Sequence, residues 1–134
     1  MGQLVCRGVR GATTVDENSA EAILAATREL LEAVIAANEI EREYVASVFF
    51  STTIDLNAAF PAVAARELGW TDIALLNMHE MAVPGSLPRC IRILIHLNTD
   101  RGAKELRHIY LREARRLRPD LVEQAGGWGS TPDE

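Results

Sequence analysis

Arginine carries almost all of the positive charge in this chain, and Lys104 is its one lysine. Three arginines sit inside apolar, strand-like runs: Arg7 and Arg10 in RGVRGATTV (Arg7 to Val15), and Arg92 in CIRILIHLNT (Cys90 to Thr99). A guanidinium keeps its proton, so an arginine withdrawn from water needs an anion beside it. A structural carboxylate can meet that need, and so can the carboxylate or phosphate of a bound ligand; for Arg92 both readings stand. The pattern points to a pocket for a small anion. Period two along a strand puts Arg7 and Arg10 on opposite faces, so at most one of them joins Arg92. Glu80 lies just ahead of the turn-forming residues Val83-Pro84-Gly85-Ser86. It is either an ordinary loop carboxylate or, beside a site arginine, an acceptor for a substrate hydroxyl.

Other chemistries find less support. His79, His96 and His108 lack the short spacings of a metal site and neither Cys6 nor Cys90 completes one, so each histidine reads as a surface or core residue. Ser51, Ser86 and Ser130 have no nucleophile-elbow context. RGVRGAT has glycines but no P-loop lysine pattern, and the chain has no G-x-G-x-x-G. The stretch RHIYLREARRLRPDL (Arg107 to Leu121) is basic and amphipathic, which a solvated face explains for Arg112, Arg115 and Arg116. What remains is a set of arginines, a carboxylate and a tyrosine. Such a set suits a reaction that runs on positioning and electrostatic stabilisation without covalent help.

The totals set the frame for these residues. A chain of 134 residues, 48% apolar and 25% charged, fits one soluble domain with a modest core. Its net charge of −5 and few aromatics argue against nucleic acid as a partner, so an anion must be held by a local cationic pocket. No apolar run is long enough to span a bilayer. The N-terminal residues show no signal-peptide pattern, and the two cysteines read as a pair of buried thiols in a cytoplasmic protein.

The elements that must position the candidates follow from periodicity. Leu4 to Val9 alternates as a strand, which Thr13-Thr14 continues or turns. Asn18 or Ser19 caps a helix over Ala20 to Ala37, whose stripe of Ile23, Thr27, Leu30, Leu31, Val34 and Ile35 has helical spacing, with Asn38 as its stop. Val45 to Thr53 is a second strand. Pro61 and Gly69 bracket a short helix over Ala62 to Leu68. Asp72 to Met78 and Cys90 to Asn98 are further strands. From Ala103 onward a helical period (Leu106, Ile109, Tyr110, Ala114, Leu117) competes with a short strand over Arg107 to Leu111. Glu123 to Glu134 reads as a frayed tail. The order predicts an α+β domain, a sheet with helices on one face. In Cys90 to Asn98, Ile91, Ile93, Ile95 and Leu97 form an aliphatic face that should meet the helices, while Arg92, Leu94, His96 and Asn98 form the other. Phe49 is also on a face opposite Val48 and Phe50. Two helices cannot cover both sides, so the second face is expected to pack against another subunit, with Arg92 near the interface.

Four segments together resemble the monofunctional bacterial chorismate mutases of the AroH class. They are RGVRGATTV, AAFPAVAARELGW (Ala58 to Trp70), NMHEMAVPGSLPRCIRIL (Asn77 to Leu94), and NTD followed by RHIYLREARRLRPDL (Asn98 to Leu121). The resemblance implies one mixed-sheet domain over residues 1–121 with a flexible tail at 122–134. It further implies a homotrimer with a barrel-like core, and a cofactor-free rearrangement of chorismate to prephenate at clefts between subunits, on the route to phenylalanine and tyrosine. By the same resemblance Arg92 contacts the ether oxygen of the breaking bond, Arg10 binds a substrate carboxylate and Glu80 meets the ring hydroxyl. Tyr110 matches the site tyrosine, Phe60 and Leu117 match apolar walls, Arg66 and Arg118 match cations at the pocket mouth, and Ala62, Leu75 and Leu76 match positions supplied by the neighbouring subunit. Asn77 stands where relatives often carry cysteine or serine near the ring hydroxyl, and Val63 where some carry lysine. The alternatives are another small trimeric enzyme of the imine-hydrolysing kind, or a non-catalytic binder of a carboxylate metabolite.

Overall fold

The computed structural model describes residues 2–117. Arg118, the end of the expected domain at 118–121 and the expected tail at 122–134 lie outside the described residues. In chain order the elements are β1 (Val5–Thr14), α1 (Ala20–Asn38), β2 (Val45–Thr52), α2 (Ala62–Glu67), β3 (Ala74–His79), β4 (Cys90–Thr99) and β5 (Ile109–Tyr110). Short 3-10 turns cover Arg42–Tyr44, Ala103–Glu105 and Arg112–Leu117. The strands make one mixed sheet in the order β3-β2-β4-β1-β5. Strand β4 runs antiparallel to both β1 and β2, while β3 is parallel to β2 and β5 is parallel to β1.

The sheet buries one face under α1 and α2, and the alternation in β4 explains which. Ile91, Ile93, Ile95 and Leu97 are all buried, together with Val9, Val48 and Phe50 from the neighbouring strands. Leu30, Leu31 and Val34 of α1 and Ala62, Ala64 and Ala65 of α2 close over them. Each fully buried Val, Leu, Ile or Phe in this layer contributes roughly 1.5–3 kcal/mol of transfer free energy. The opposite face of β4 presents Arg92, Leu94 and His96, all half-buried. The expected division of faces is therefore present, with one addition. The turn at Arg112–Leu117 folds onto one end of the second face, where Ala114 and Leu117 pack with Ala12, Cys90 and Tyr110.

Helix α1 begins where expected. The Ser19 hydroxyl accepts a hydrogen bond from the Ala22 amide at 3.1 Å, and Glu21 lies in the first turn, where the helix dipole favours an acid. Asn38 ends the helix differently from its expected role as a stop. It is the last helical residue and is fully buried, and the left-handed backbone that terminates the helix belongs to Glu39 at φ 49°. The third strand begins two residues later than expected, and the region after Ala103 contains the short strand, not the helix.

Helix α1 crosses the sheet where β1 has no side chain to obstruct it. A Cβ on Gly11 would lie 3.1 Å from Leu30 Cδ1, 3.2 Å from Val34 Cγ2 and 3.3 Å from the Ile109 carbonyl oxygen. Two of those neighbours are packed core side chains and the third is backbone, so none yields freely. Gly11→Val is expected to destabilise the fold by about 1–3 kcal/mol through overpacking. A shift in the urea unfolding midpoint at unchanged m-value would register this, and an unshifted midpoint would show that α1 lifts off the sheet without cost.

Candidate active site

Cross-strand register brings distant residues into two rows on the sheet face that the helices leave open. Residues directly opposite one another on paired strands share a face. Ser51 pairs with both Met78 and Arg92, and Ala12 pairs with both Arg92 and Tyr110. One row therefore reads Met78, Ser51, Arg92, Ala12, Tyr110 across the whole sheet. Phe49 pairs with Leu76 and Leu94, and Leu94 pairs with Arg10, which gives the neighbouring row. The small side chain of Ala12 leaves the space between Arg92 and Tyr110 unfilled by its own bulk. A cleft on this face is lined by Arg10, Phe49, Ser51, Glu80, Arg92 and Tyr110, among others.

Glu80 reaches this cleft because the backbone carries it one residue past β3. Its amide donates to the Thr52 carbonyl at 2.7 Å, which extends the β2–β3 pairing. Its carboxylate then works in two directions. Oε1 accepts from the Met81 amide at 2.9 Å, and Oε2 lies 3.5 Å from Arg92 Nε. At that length the attraction between Glu80 and Arg92 is mainly charge on charge. Both side chains are partly screened from solvent, at 27% and 37% exposure, so the pair sits between the surface and interior regimes. The carboxylate approaches Arg92 through Nε, and the same side chain lines the cleft, so a structural ion pair and an anion ligand are not mutually exclusive roles for it.

The site candidates fall into two groups. Arg10, Glu80, Arg92 and Tyr110 line the cleft, and Leu117 packs in the cluster that contains Tyr110. The remainder gather toward the β3 edge. Phe60 is 68% exposed in the loop before α2, and Leu76 is 52% exposed on the open face. Phe60 and Asn77 line a separate depression with Pro61, Met78 and His79. Ala62 is fully buried and Arg66 is exposed, both on α2. Leu75 packs against the helix-covered core, on the opposite face from Leu76. Asn77 also points to the helix side of the sheet, where its Oδ1 accepts from the Ala62 amide at 2.9 Å. Pro61 offers α2 no side-chain cap, so Asn77 serves as the acceptor for that first-turn donor.

Sequence reasoning passed over Phe49 and Ser51 as site residues, although both line the cleft. Their signal was the alternation of β2, which set Phe49 opposite Val48 and Phe50; pairing with β4 was needed to put that face beside Arg92. His96 has a local role. Its Nδ1 lies 3.0 Å from Ser47 Oγ, and its ring meets Phe49 edge-on with centroids 5.4 Å apart.

Chemically, the cleft offers a guanidinium held against a carboxylate, a second arginine in the next row, a tyrosine and apolar walls. That combination is chemically suited to a compact anion with apolar surface and to charge that develops on it. Comparison with known proteins converges on one family. Residues 6–121 match the family model described as chorismate mutase type I. The chain is 55% identical over 116 residues to a chorismate mutase AroH of Thermus thermophilus, a match covering 86% of this chain and 95% of that relative. It is 44% identical over 119 residues to a chorismate mutase AroH of Bacillus subtilis, covering 88% and 94%. A solved chorismate mutase from Clostridium thermocellum superposes with a TM-score of 0.81 at 47% identity, covering 82% of this chain and 98% of that one.

Proposed function

The chain belongs to the type I chorismate mutase family, and from that premise we propose that it converts chorismate to prephenate in aromatic amino-acid biosynthesis, with Arg92 as the central cation. The observation that carries this reading is the row that aligns Arg92 with Tyr110 across the sheet, with Glu80 held 3.5 Å from the guanidinium.

The rearrangement is intramolecular. The ether carbon–oxygen bond breaks while a carbon–carbon bond forms between the enolpyruvyl side chain and the ring, so no proton, electron pair or group leaves the molecule. The flexible dianion must first fold its side chain over the ring. Arginines fixed on strands lower the entropic cost of that geometry, Arg10 by holding a carboxylate. Bond breaking runs ahead of bond making, so negative charge grows on the ether oxygen and positive character on the ring. Arg92 stabilises the first and Glu80 offsets the second. Both contacts strengthen as the charge separates, which makes them interactions with the transition state more than with the substrate. Tyr110 and Leu117 wall the cleft.

We read the complete site as assembled between subunits of a homotrimer. Support comes from the division of the candidates into two groups on one chain, and from the exposed apolar side chains at the β3 edge, Leu76 and Met78 on the open face and Phe60 in the loop before α2. In this reading Phe60, Arg66 and Leu76 of one subunit complete the cleft of the next, while Ala62, Leu75 and Asn77 shape that edge from the helix layer behind it. The reaction is assigned to the cytoplasm, a setting consistent with two free thiols, of which Cys90 is buried as expected while Cys6, near the start of β1, is exposed.

The deciding experiment follows chorismate by ultraviolet absorbance with prephenate identified as product. Saturable conversion far above the uncatalysed rate is the expected result. Binding of chorismate without conversion would instead make the protein a carboxylate-metabolite binder.

Val63 gives a second expectation. It is half-buried in the first turn of α2, at the position where the family resemblance puts lysine in some members. Val63→Lys restores a cation near the mouth and is expected to lower KM for the dianionic substrate by about threefold, an effect that added salt should weaken. Turnover should stay within about twofold, because a mouth charge favours substrate and transition state alike. An unchanged or raised KM would remove the mouth charge from consideration.

A further inference from the structure

The mechanism gives no task to two buried polar residues, Asn38 and His108, although both act on the backbone that carries Arg10 and Tyr110. Strand β5 has only two residues, paired as Gly11 with Ile109 and Ala12 with Tyr110, and the Leu111 amide donates to the Ala12 carbonyl at 2.9 Å. A parallel ladder repeats every two residues, so its next bond would run from the Arg10 amide to the Arg107 carbonyl. That bond is replaced. Asn38 takes both backbone groups of Arg107: its Nδ2 donates to the Arg107 carbonyl at 2.9 Å, and its Oδ1 accepts from the Arg107 amide at 2.7 Å. The Arg10 amide donates instead to Nδ1 of His108, at 2.9 Å. His108 is 8% exposed and Asn38 is fully buried, so water does not compete freely for these bonds.

We propose that His108 is a positioning residue for the mutase site: its imidazole substitutes for a backbone acceptor and fixes the main chain of Arg10, while Asn38 holds the approach to β5 so that the imidazole is delivered there. This rests on the reading of Arg10 as a ligand for a substrate carboxylate. A backbone N–H can only donate, so Nδ1 must be unprotonated and the ring proton of the neutral imidazole sits on Nε2. The arrangement lets the two-residue strand place Arg10 in one row and Tyr110 in the next without a longer ladder. Because Arg10 acts through binding, loosening its backbone should weaken capture of the substrate more than the bond rearrangement itself.

Two substitutions at one position separate the acceptor from the ring. Asparagine puts its Oδ1 close to where Nδ1 lies, while leucine fills similar space with no acceptor. His108→Leu is expected to raise KM about tenfold, the size of one buried hydrogen bond, with kcat changed by less than about threefold. His108→Asn should return KM to within about threefold of wild type, which a merely space-filling role would not produce. A wild-type KM in His108→Leu, or equal impairment of the two variants, would overturn the proposal. An independent reading needs neither turnover nor a folded variant. Nitrogen-15 NMR of the wild-type imidazole should show Nδ1 unprotonated and coupled through the hydrogen bond to the Arg10 amide. A proton on Nδ1 would refute the positioning role even if chorismate is converted; the expected tautomer without conversion would leave the hold on the Arg10 backbone standing and overturn its role in a mutase site.

Discussion

Arg92→Lys is expected to lower kcat by about a hundredfold, roughly 3 kcal/mol of lost transition-state stabilisation, with the protein still folded. Lysine keeps the charge beside Glu80, so the ion pair that spans 3.5 Å in the wild type has a successor and the sheet face gains no uncompensated carboxylate. What lysine loses is the planar fork. An ammonium on a flexible stem is a point charge that must be reoriented as the ether bond opens, whereas the guanidinium on β4 is held in advance by strand geometry and by Glu80. The effect should therefore appear in kcat and kcat/KM together, with KM little changed, and the thermal midpoint should stay close to that of wild type. Near-normal turnover in a folded Arg92→Lys protein would show that any cation at this point suffices, and the preorganised donor would have to be abandoned.

The second large effect is a gain of activity on mixing two inactive proteins. Arg92→Ala disables the cleft group, and Phe60→Asp sets a negative charge beside a dianionic substrate in the other group. Phe60 is 68% exposed within one chain, so its replacement has little folding cost. If sites form between subunits, a random mixed trimer contains some sites with both halves intact, about a quarter of all sites by simple combination. Unfolding the two variants together and refolding them should then recover about a quarter of wild-type turnover per site, where each alone is nearly silent. A site within one chain predicts no recovery above the sum of the two variants, and that outcome would remove the intersubunit cleft.

The two tests address different parts of the site, and the parts were not equally legible in the sequence. The arginine-bearing character of the open face could be read directly. Ile91, Ile93, Ile95 and Leu97 alternate with Arg92, Leu94 and His96, and alternation in a strand is a local property of the backbone. The same holds for the Ser19 cap and the apolar stripe of α1. The region after Ala103 was open, because Leu106, Ile109, Tyr110 and Ala114 satisfy a helical period as well as a strand. The strand prevailed through partners far away in the chain. Asn38 binds Arg107 across 69 positions and His108 binds Arg10 across 98, and no local pattern announces either contact.

Asn77 shows the same limit from another side. Its type suits a contact to a hydroxyl, and the resemblance put it near one. The fold turns it to the helix layer, where α2 lacks a side-chain cap and the Ala62 amide needs an acceptor. Phe49 and Ser51 went the other way, from ordinary strand residues to lining of the cleft, once β2 was paired with β4.

By itself, the sequence determined which residues alternate, where α1 starts, which face of β4 is apolar, and that an arginine-bearing face needs an anion. Those properties depend on backbone geometry and solvation over a few neighbouring residues. Only the tertiary structure decided that Arg10, Ser51, Glu80, Arg92 and Tyr110 meet in one cleft, and that Asn38 and His108 stand behind two of them. Strand order and register depend on the summed packing and hydrogen bonding of segments distant in the chain, and a shift of one residue in a strand would have turned all of its side chains to the other face.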